Sequence, residues 1–271
     1  MTMLLTLCAG SLRSRMASPS GKGNSGMRML DVPSFVVKQL QLHGLNIPAS
    51  MLSGCSPADL DRLRDAADKA ACPCLVLIED TPRPLASPDD AERVAAASRV
   101  QRLAVAANRL GCNAIALKIE APESDAAFDM AADQVRSMLP AIERLELNVL
   151  LAPHTGLTAT TERLTSLIKR IGGFRIGSLP SFGASAAAGG GDPIEGLRKL
   201  APYAGAIHAT VEGFNKKGAH KSWDLAACVT AIRSVGFLNT LAIDYTGDGD
   251  PVPSIEKARD LLQAAIDKEA A

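Results

Sequence analysis

Histidines and carboxylates lie where short apolar runs of this chain end, and such groups can move protons or hold a metal ion. His154 and His208 are two of only four histidines, and the run that contains His208 leads to Glu212. Asp244 lies near the end of another apolar run. Imidazole and carboxylate groups exchange protons near neutral pH and are common ligands of divalent cations. These four residues therefore form a candidate site for proton transfer or for Mn²⁺, Zn²⁺ or Mg²⁺.

Three further charged residues close two other apolar runs. Glu79 follows one of them, and Lys118 and Glu120 end the next. If Lys118 points into a desolvated site, its amine can act as a base or form a Schiff base with a carbonyl substrate. If it points outward, its stem packs against apolar surface and its ammonium reaches solvent. The sequence does not distinguish between these two orientations of the Lys118 side chain.

Eight short apolar runs rich in branched residues alternate with longer segments of helical periodicity. This alternation predicts a parallel sheet of βα units, and eight units favour an α/β fold of the closed (β/α)8 TIM barrel type. A G-x-G-x-x-G pattern occurs at residues 21–26, but it does not directly follow the first predicted strand, which ends at residue 8, as it would in an open nucleotide-binding sheet. In a TIM barrel the ligand site lies at the C-terminal ends of the strands, so the candidate residues should meet at one mouth. The predicted strands span 3–8, 45–51, 74–78, 114–119, 147–151, 174–179, 206–211 and 240–245.

Composition and charge restrict the class of protein. Hydrophobic residues make up 47% of the chain, which predicts a large core, and we expect one domain over residues 1–271. The 29 basic and 29 acidic residues cancel, which argues against nucleic acid as a partner. No apolar run reaches the roughly 18 residues of a membrane span. We therefore expect a cytoplasmic protein with a small-molecule ligand and no membrane partner. The sequence does not decide whether the protein forms a homo-oligomer.

Residues 11–27 are rich in Ser, Gly and basic residues, and this composition predicts a flexible loop.

Several short motifs in the second half of the chain match one known family. Residues 244–247 read DYTG and are followed by DP at 250–251, and the helix after them contains ARDLL at 258–262. Residues 150–154 read LLAPH, and 206–208 read AIH. These motifs resemble the xylose isomerase-like sugar phosphate isomerase and epimerase family, over most of the chain from about Val36 onward. The resemblance implies a TIM barrel that moves a proton between adjacent carbons of a keto or aldose sugar, or its phosphate, with help from a divalent metal.

The resemblance also implies which positions hold the metal in the family. They are a Glu after strand five, an Asp and a nearby His around strand six, and a Glu after strand eight. This chain has Ala152, Pro180, Gly183 and Asp244 at or beside these positions. Since alanine and proline offer no side-chain oxygen, the family's metal site is depleted, and a relocated one is expected. Its candidate ligands are Asp244, His208, His154 and Glu212.

The sequence therefore leads to one main hypothesis and two alternatives. The main hypothesis is a sugar isomerase or epimerase that uses His154, His208 and Asp244, with Glu120 or Lys118 as a proton carrier. One alternative is a non-catalytic sugar-binding or partner subunit that has lost the metal site. The other is a metal-independent lyase or aldolase that uses Lys118.

Overall fold

Eight parallel strands form a closed barrel in the computed structural model, which describes residues 3–17 and 26–268. In sheet order the strands run β6-β5-β4-β3-β2-β1-β8-β7. The ring is closed between β6 and β7, where the His208 amide donates a hydrogen bond to the Pro180 carbonyl at 3.0 Å. The prediction of a (β/α)8 barrel is confirmed. The strands are β1 (Leu4–Cys8), β2 (Leu45–Pro48), β3 (Cys74–Ile78), β4 (Ala114–Leu117), β5 (Asn148–Leu151), β6 (Ile176–Ser178), β7 (Ala206–Val211) and β8 (Thr240–Tyr245).

Helices surround the barrel, and their ends follow local capping chemistry. Ser56 and Asp59 form a reciprocal capping box at the start of α2, and Gly111 ends α3 with a φ of 78°. None of the described helices is long and apolar enough to cross a membrane. The helices are α1 (Val32–Lys38), α2 (Pro57–Lys69), α3 (Asp90–Leu110), α4 (Asp125–Glu143), α5 (Thr161–Ile171), α6 (Phe182–Ala188), α7 (Ile194–Leu200), α8 (Leu225–Arg233) and α9 (Pro251–Lys268).

The predicted strands and loop differ from the structure mainly at their ends. The bounds of β3, β7 and β8 agree with the prediction, whereas the strand predicted over 45–51 ends at Pro48, where a 3₁₀ helix over Ala49–Leu52 begins. The loop predicted over 11–27 is partly ordered. Residues 11–15 belong to a 3₁₀ helix that buries Leu12, and Met16 bridges to Met27. Residues 18–25 of that loop lie outside the described residues.

Small apolar side chains fill the barrel interior. The buried cluster there consists of Val76, Ile78, Ala114, Ala116, Leu150, Ala152, Leu179 and Ala206. Because side chains alternate across a strand, the inward position two residues after Ala116 belongs to Lys118, and the one after Ala206 belongs to His208. The apolar interior therefore ends in polar side chains at the C-terminal mouth.

Glu79 lies on the opposite side of its strand and does not reach the mouth. Its side chain is 2% exposed and accepts hydrogen bonds from Arg83 Nη2 at 2.9 Å and Arg99 Nε at 2.6 Å. The Arg83 backbone pairs with the segment after β4, donating to the Lys118 carbonyl and accepting from the Glu120 amide. Through its ion pair with Arg83, Glu79 thus stabilises the contact between the loop after β3 and the end of β4.

Glu79→Gln should lower the free energy of unfolding by about 3 kcal/mol, because it leaves two arginines beside a buried neutral amide. Chemical denaturation followed by circular dichroism measures this change. The matched control is Asp61→Asn, which breaks the half-exposed ion pair with Arg109 at 2.6 Å. That pair should contribute less than about 1 kcal/mol. Equal losses in the two variants would contradict a structural role for Glu79.

Candidate functional site

A cavity of about 340 Å³ opens at the C-terminal end of the barrel. Its walls come from the strand ends and the loops that follow them. It is lined by Cys8, Gly10, Arg13, Pro48, Ile78, Asp80, Lys118, Ala152, Pro153, Leu179, Ser181, Ala184, His208, Asp244, Tyr245 and Thr246.

Three chemically reactive side chains meet on one wall of this cavity. Cys8, His208 and Asp244 come from β1, β7 and β8, which are neighbours in the sheet. One possible ligand atom from each residue lies within 4.8 Å of the other two. His208 Nδ1 is 3.3 Å from Asp244 Oδ2. The cluster thus combines a sulfur, a nitrogen and an oxygen in one small volume.

Asn46 supports the histidine from the barrel interior. Its side-chain nitrogen Nδ2 lies 3.1 Å from His208 Nε2, and the residue is fully buried. With Asn46 as the donor, Nε2 is the acceptor, and the ring hydrogen lies on Nδ1, where it is donated to Asp244. The remaining Asn46 oxygen, Oδ1, is buried and has no hydrogen-bond partner among the described residues.

Asp244 is held in its charged form by this cluster. Burial acts to raise the pKa of the carboxyl, but hydrogen bonds from His208 and Cys8 and the positive charge of Lys118 outweigh it and lower the pKa. Burial and the Asp244 charge both raise the pKa of the Cys8 thiol well above its usual value. At neutral pH the wall therefore presents a carboxylate beside a protonated thiol.

Lys118 faces this wall from the other side of the barrel. β4 is four strands from β8 in both directions around the ring. Lys118 lines the cavity, so its inward orientation is the one found. Among the described residues, none forms a hydrogen bond or ion pair with its ammonium, although its charge acts on both Asp244 and His154. The cavity thus has a carboxylate on one side and a free cation on the other.

The other predicted site residues lie outside this cavity. His154 and Glu120 line a neighbouring cleft, because they follow the last inward positions of their strands by two residues. Glu212 is exposed beyond the end of β7, where its carboxylate accepts a hydrogen bond from Ser222. Of the four predicted metal ligands, the structure therefore brings together His208 and Asp244, whereas His154 and Glu212 lie elsewhere.

The structure adds functional candidates that the sequence analysis missed. Cys8 ends the first strand, and Asn46 is a polar residue inside an apolar strand, which was a usable signal. Asp80 lines the same cavity and accepts hydrogen bonds from Arg13 at 2.9 Å and from the Ser50 backbone at 3.1 Å. Burial acts to raise the pKa of Asp80, but the bonds from Ser50 and the Arg13 charge lower it. A second carboxylate therefore lies at the rim.

His220 is buried outside the cavity and has a structural role. The Glu212 amide donates a hydrogen bond to its Nε2 at 3.1 Å, and the backbone nitrogen of Trp223 lies 3.2 Å from its Nδ1. A neutral imidazole can accept one of these hydrogen bonds, whereas an imidazolium carries hydrogens on both nitrogens and can accept neither. Burial, and to a lesser extent the Lys221 charge, lower the pKa of His220.

Stability should therefore fall in mild acid. Because the folded pKa of His220 lies below the unfolded value of about 6.5, the unfolded chain takes up the proton more readily as pH falls. We expect the free energy of unfolding to decrease between pH 7.5 and pH 5.5, and to decrease less in His220→Gln. His43→Gln, at an exposed histidine, should keep the wild-type pH dependence. Urea titrations at the two pH values test this, and identical pH dependence in His220→Gln would refute it.

Comparisons with known proteins agree with this fold. The family model described as "Xylose isomerase-like TIM barrel" matches residues 37–265. No curated protein matches the sequence. An L-ribulose 3-epimerase structure is similar with a TM-score of 0.79 at 15% identity, covering 100% of this chain and 96% of that one. The 3-keto-D-glucoside 4-epimerase of E. coli gives 0.73 at 13% identity, with 97% and 99% covered.

A third similar structure contains a metal. The IolI protein, whose structure has a bound zinc atom, gives a TM-score of 0.71 at 13% identity, and 97% of this chain and 96% of that chain are covered. At such identities the similarity shows the fold alone. The family model covers most of the chain, and it agrees with the motifs near residues 244–262 and with the closed barrel. This chain therefore belongs to the xylose isomerase-like TIM barrel family.

Proposed function

We propose that this protein is a sugar isomerase or epimerase whose reaction takes place in the barrel mouth. One observation carries the proposal: the Asp244 carboxylate and the Lys118 ammonium line opposite sides of one cavity. A volume of about 340 Å³ suits a small ligand. The structural relatives that are sugar epimerases support a sugar as the substrate.

The chemistry is proton transfer next to a carbonyl group. Asp244 removes the proton from the carbon beside the carbonyl, and the electron pair of that C–H bond moves to the carbonyl oxygen. For isomerisation, Asp244 returns the proton to the former carbonyl carbon, and the proton of the hydroxyl on the neighbouring carbon moves to the former carbonyl oxygen, so that the carbonyl forms on that neighbouring carbon. Lys118 stabilises the negative oxygen during this transfer. For epimerisation, Lys118 returns a proton to the same carbon from the opposite face. Solvent then restores the protonation of both side chains.

His208 orients the base in this scheme. Its Nδ1–H donates to Asp244, and Asn46 fixes the ring through Nε2. Such a buried pair of hydrogen bonds holds the carboxylate in one position and keeps it charged. His208 and Asn46 therefore position the base, and Asp244 exchanges the proton with the substrate.

The donor set of Cys8, His208 and Asp244 also fits a zinc ion. The distance of 3.3 Å between His208 Nδ1 and Asp244 Oδ2 equals the roughly 3.3 Å between two tetrahedral zinc ligands. If Nδ1 binds a metal, the ring hydrogen lies on Nε2, and the unpaired Asn46 Oδ1 can accept it after a flip of the amide. A bound Zn²⁺ would polarise the substrate carbonyl as a Lewis acid. The ligand set would then replace the depleted family positions, such as Ala152.

Zinc binding can be tested apart from activity. The purified protein should bind about one equivalent of Zn²⁺ in competition with a chromophoric chelator. Cys8→Ser should weaken this binding at least about 100-fold, because it replaces a thiolate ligand by a hydroxyl group. Cys55→Ser, at an exposed thiol, is the matched control and should bind like the wild type. Unchanged zinc affinity in Cys8→Ser would show that the cluster is not the metal site.

The proposed reaction is tested by hydrogen exchange with solvent. Keto and aldose sugars, with and without a phosphate group, are incubated with the protein in D₂O and followed by NMR. We expect deuterium at the carbon next to the carbonyl and the appearance of an isomer or epimer. Binding without exchange would identify a non-catalytic sugar-binding subunit. A borohydride-trapped adduct on Lys118, detected by mass spectrometry, would instead identify a Schiff-base lyase or aldolase.

A further inference from the structure

A second cavity opens beside the barrel mouth, and it is larger than the mouth itself. Its volume is about 650 Å³. We call it the His154 cleft; it lies between the loops that follow β3, β4 and β5 and the first turns of α4, with Glu120, Ala126, Met130 and His154 among its walls. The reaction proposed for the mouth uses none of these residues.

The walls of the His154 cleft follow those of the mouth along two neighbouring strands. Lys118 lines the mouth, and Glu120, two residues later, lines the cleft. Ala152 and His154 repeat this arrangement on the adjacent strand end. Residues at i and i+2 lie on the same side of an extended chain, so the walls of the two cavities follow each other.

The charge of Lys118 affects groups in both cavities. The Lys118 charge acts on Asp244 in the mouth and on His154 in the cleft. Burial, followed by the Lys118 charge, lowers the pKa of His154. The ring is therefore neutral at pH 7, and its Nδ1 makes no hydrogen bond with any other described residue. His154 can thus exchange a hydrogen bond with a neutral polar group in the cleft.

The walls of the cleft favour a neutral occupant over an anionic one. Glu92 and Glu120 supply negative charge, and neither arginine nor lysine lines the cleft in the described parts of the chain. A phosphate group would be repelled there. Met130 and Ala127 give an apolar surface beside the polar His154. This combination suits the apolar face and the hydroxyl groups of a second sugar ring.

We propose that the substrate is a keto sugar that carries a neutral glycosyl group on one of its hydroxyls. The keto sugar lies in the barrel mouth, and the glycosyl group lies in the His154 cleft. This inference rests on the proposed function of the mouth. Binding of the distant group then helps to hold the carbonyl between Asp244 and Lys118.

The test compares free D-fructose with three disaccharides that end in fructose with a free carbonyl. Turanose, maltulose and palatinose carry a glucosyl group on O3, O4 and O6 of the fructose. We expect at least one of them to exchange deuterium from D₂O with a kcat/KM roughly tenfold or more above that of fructose. Ala126→Trp, which fills the cleft from an exposed position on α4, should abolish this advantage and leave fructose unchanged. Ala264→Trp, at an exposed position of α9, is the matched control and should preserve the advantage.

The outcomes separate this inference from the proposed function. If fructose and all three disaccharides react equally and Ala126→Trp changes nothing, the inference is wrong and the isomerase function stands. If no sugar exchanges deuterium, the proposed reaction fails. Saturation-transfer NMR then measures whether the protein binds the disaccharides in preference to fructose. Preferred disaccharide binding that Ala126→Trp removes would support the cleft assignment. Equal or absent binding would overturn it.

Discussion

Asp244→Asn should lower sugar turnover by at least about a thousandfold. The amide keeps the size of the side chain and its place beside His208, but it cannot remove a proton from carbon. Turnover is measured as deuterium incorporation from D₂O into the best substrate of the screen, with kcat and KM determined separately. We expect the loss in kcat, because proton removal belongs to the chemical step.

The control for this variant lies close by in the chain. Asp248→Asn changes an exposed carboxylate in the turn after β8 and should retain full activity. Because Asp244 is buried among polar groups, unfolding of Asp244→Asn by urea is compared with wild type to show that the fold is intact. Wild-type turnover in a folded Asp244→Asn protein would exclude Asp244 as the base. The nearest remaining carboxylate in the cavity is then Asp80.

Lys118→Met should lower turnover by about 100- to 1000-fold. Methionine keeps much of the apolar stem but removes the charge that faces Asp244 and that stabilises the negative oxygen. Since no ion pair or hydrogen bond to another described residue is broken, the fold should remain stable. The matched control is Lys216→Met, at an exposed lysine in the loop after β7, which should leave turnover unchanged.

The products formed by Lys118→Met distinguish the two proposed roles of the lysine. If Lys118 returns a proton from the opposite face, the variant should still exchange deuterium slowly through Asp244, but it should form no epimer. If Lys118 only stabilises the oxygen, exchange and product formation should fall by the same factor. Full activity in the variant would contradict both roles.

The sequence alone predicted the barrel and part of its site. Apolar runs of branched residues, separated by helical segments, predicted eight βα units, and the bounds of β3, β7 and β8 agree with the structure. His208 and Asp244 were found because polar residues at the ends of apolar strands meet at one edge of a parallel barrel. The motifs near residues 244–262 identified the family, which the family model confirms.

The tertiary structure decided which side chains share a cavity. Cys8 joins Asp244 only because closure of the ring places β1 beside β8, at opposite ends of the chain. Asn46 reaches His208 across the interior, which no local pattern predicts. His154 lines the cleft and not the mouth, since it lies beyond the last inward position of its strand. Local sequence determines where strands form, whereas closure and register determine the direction and neighbours of each side chain at their ends.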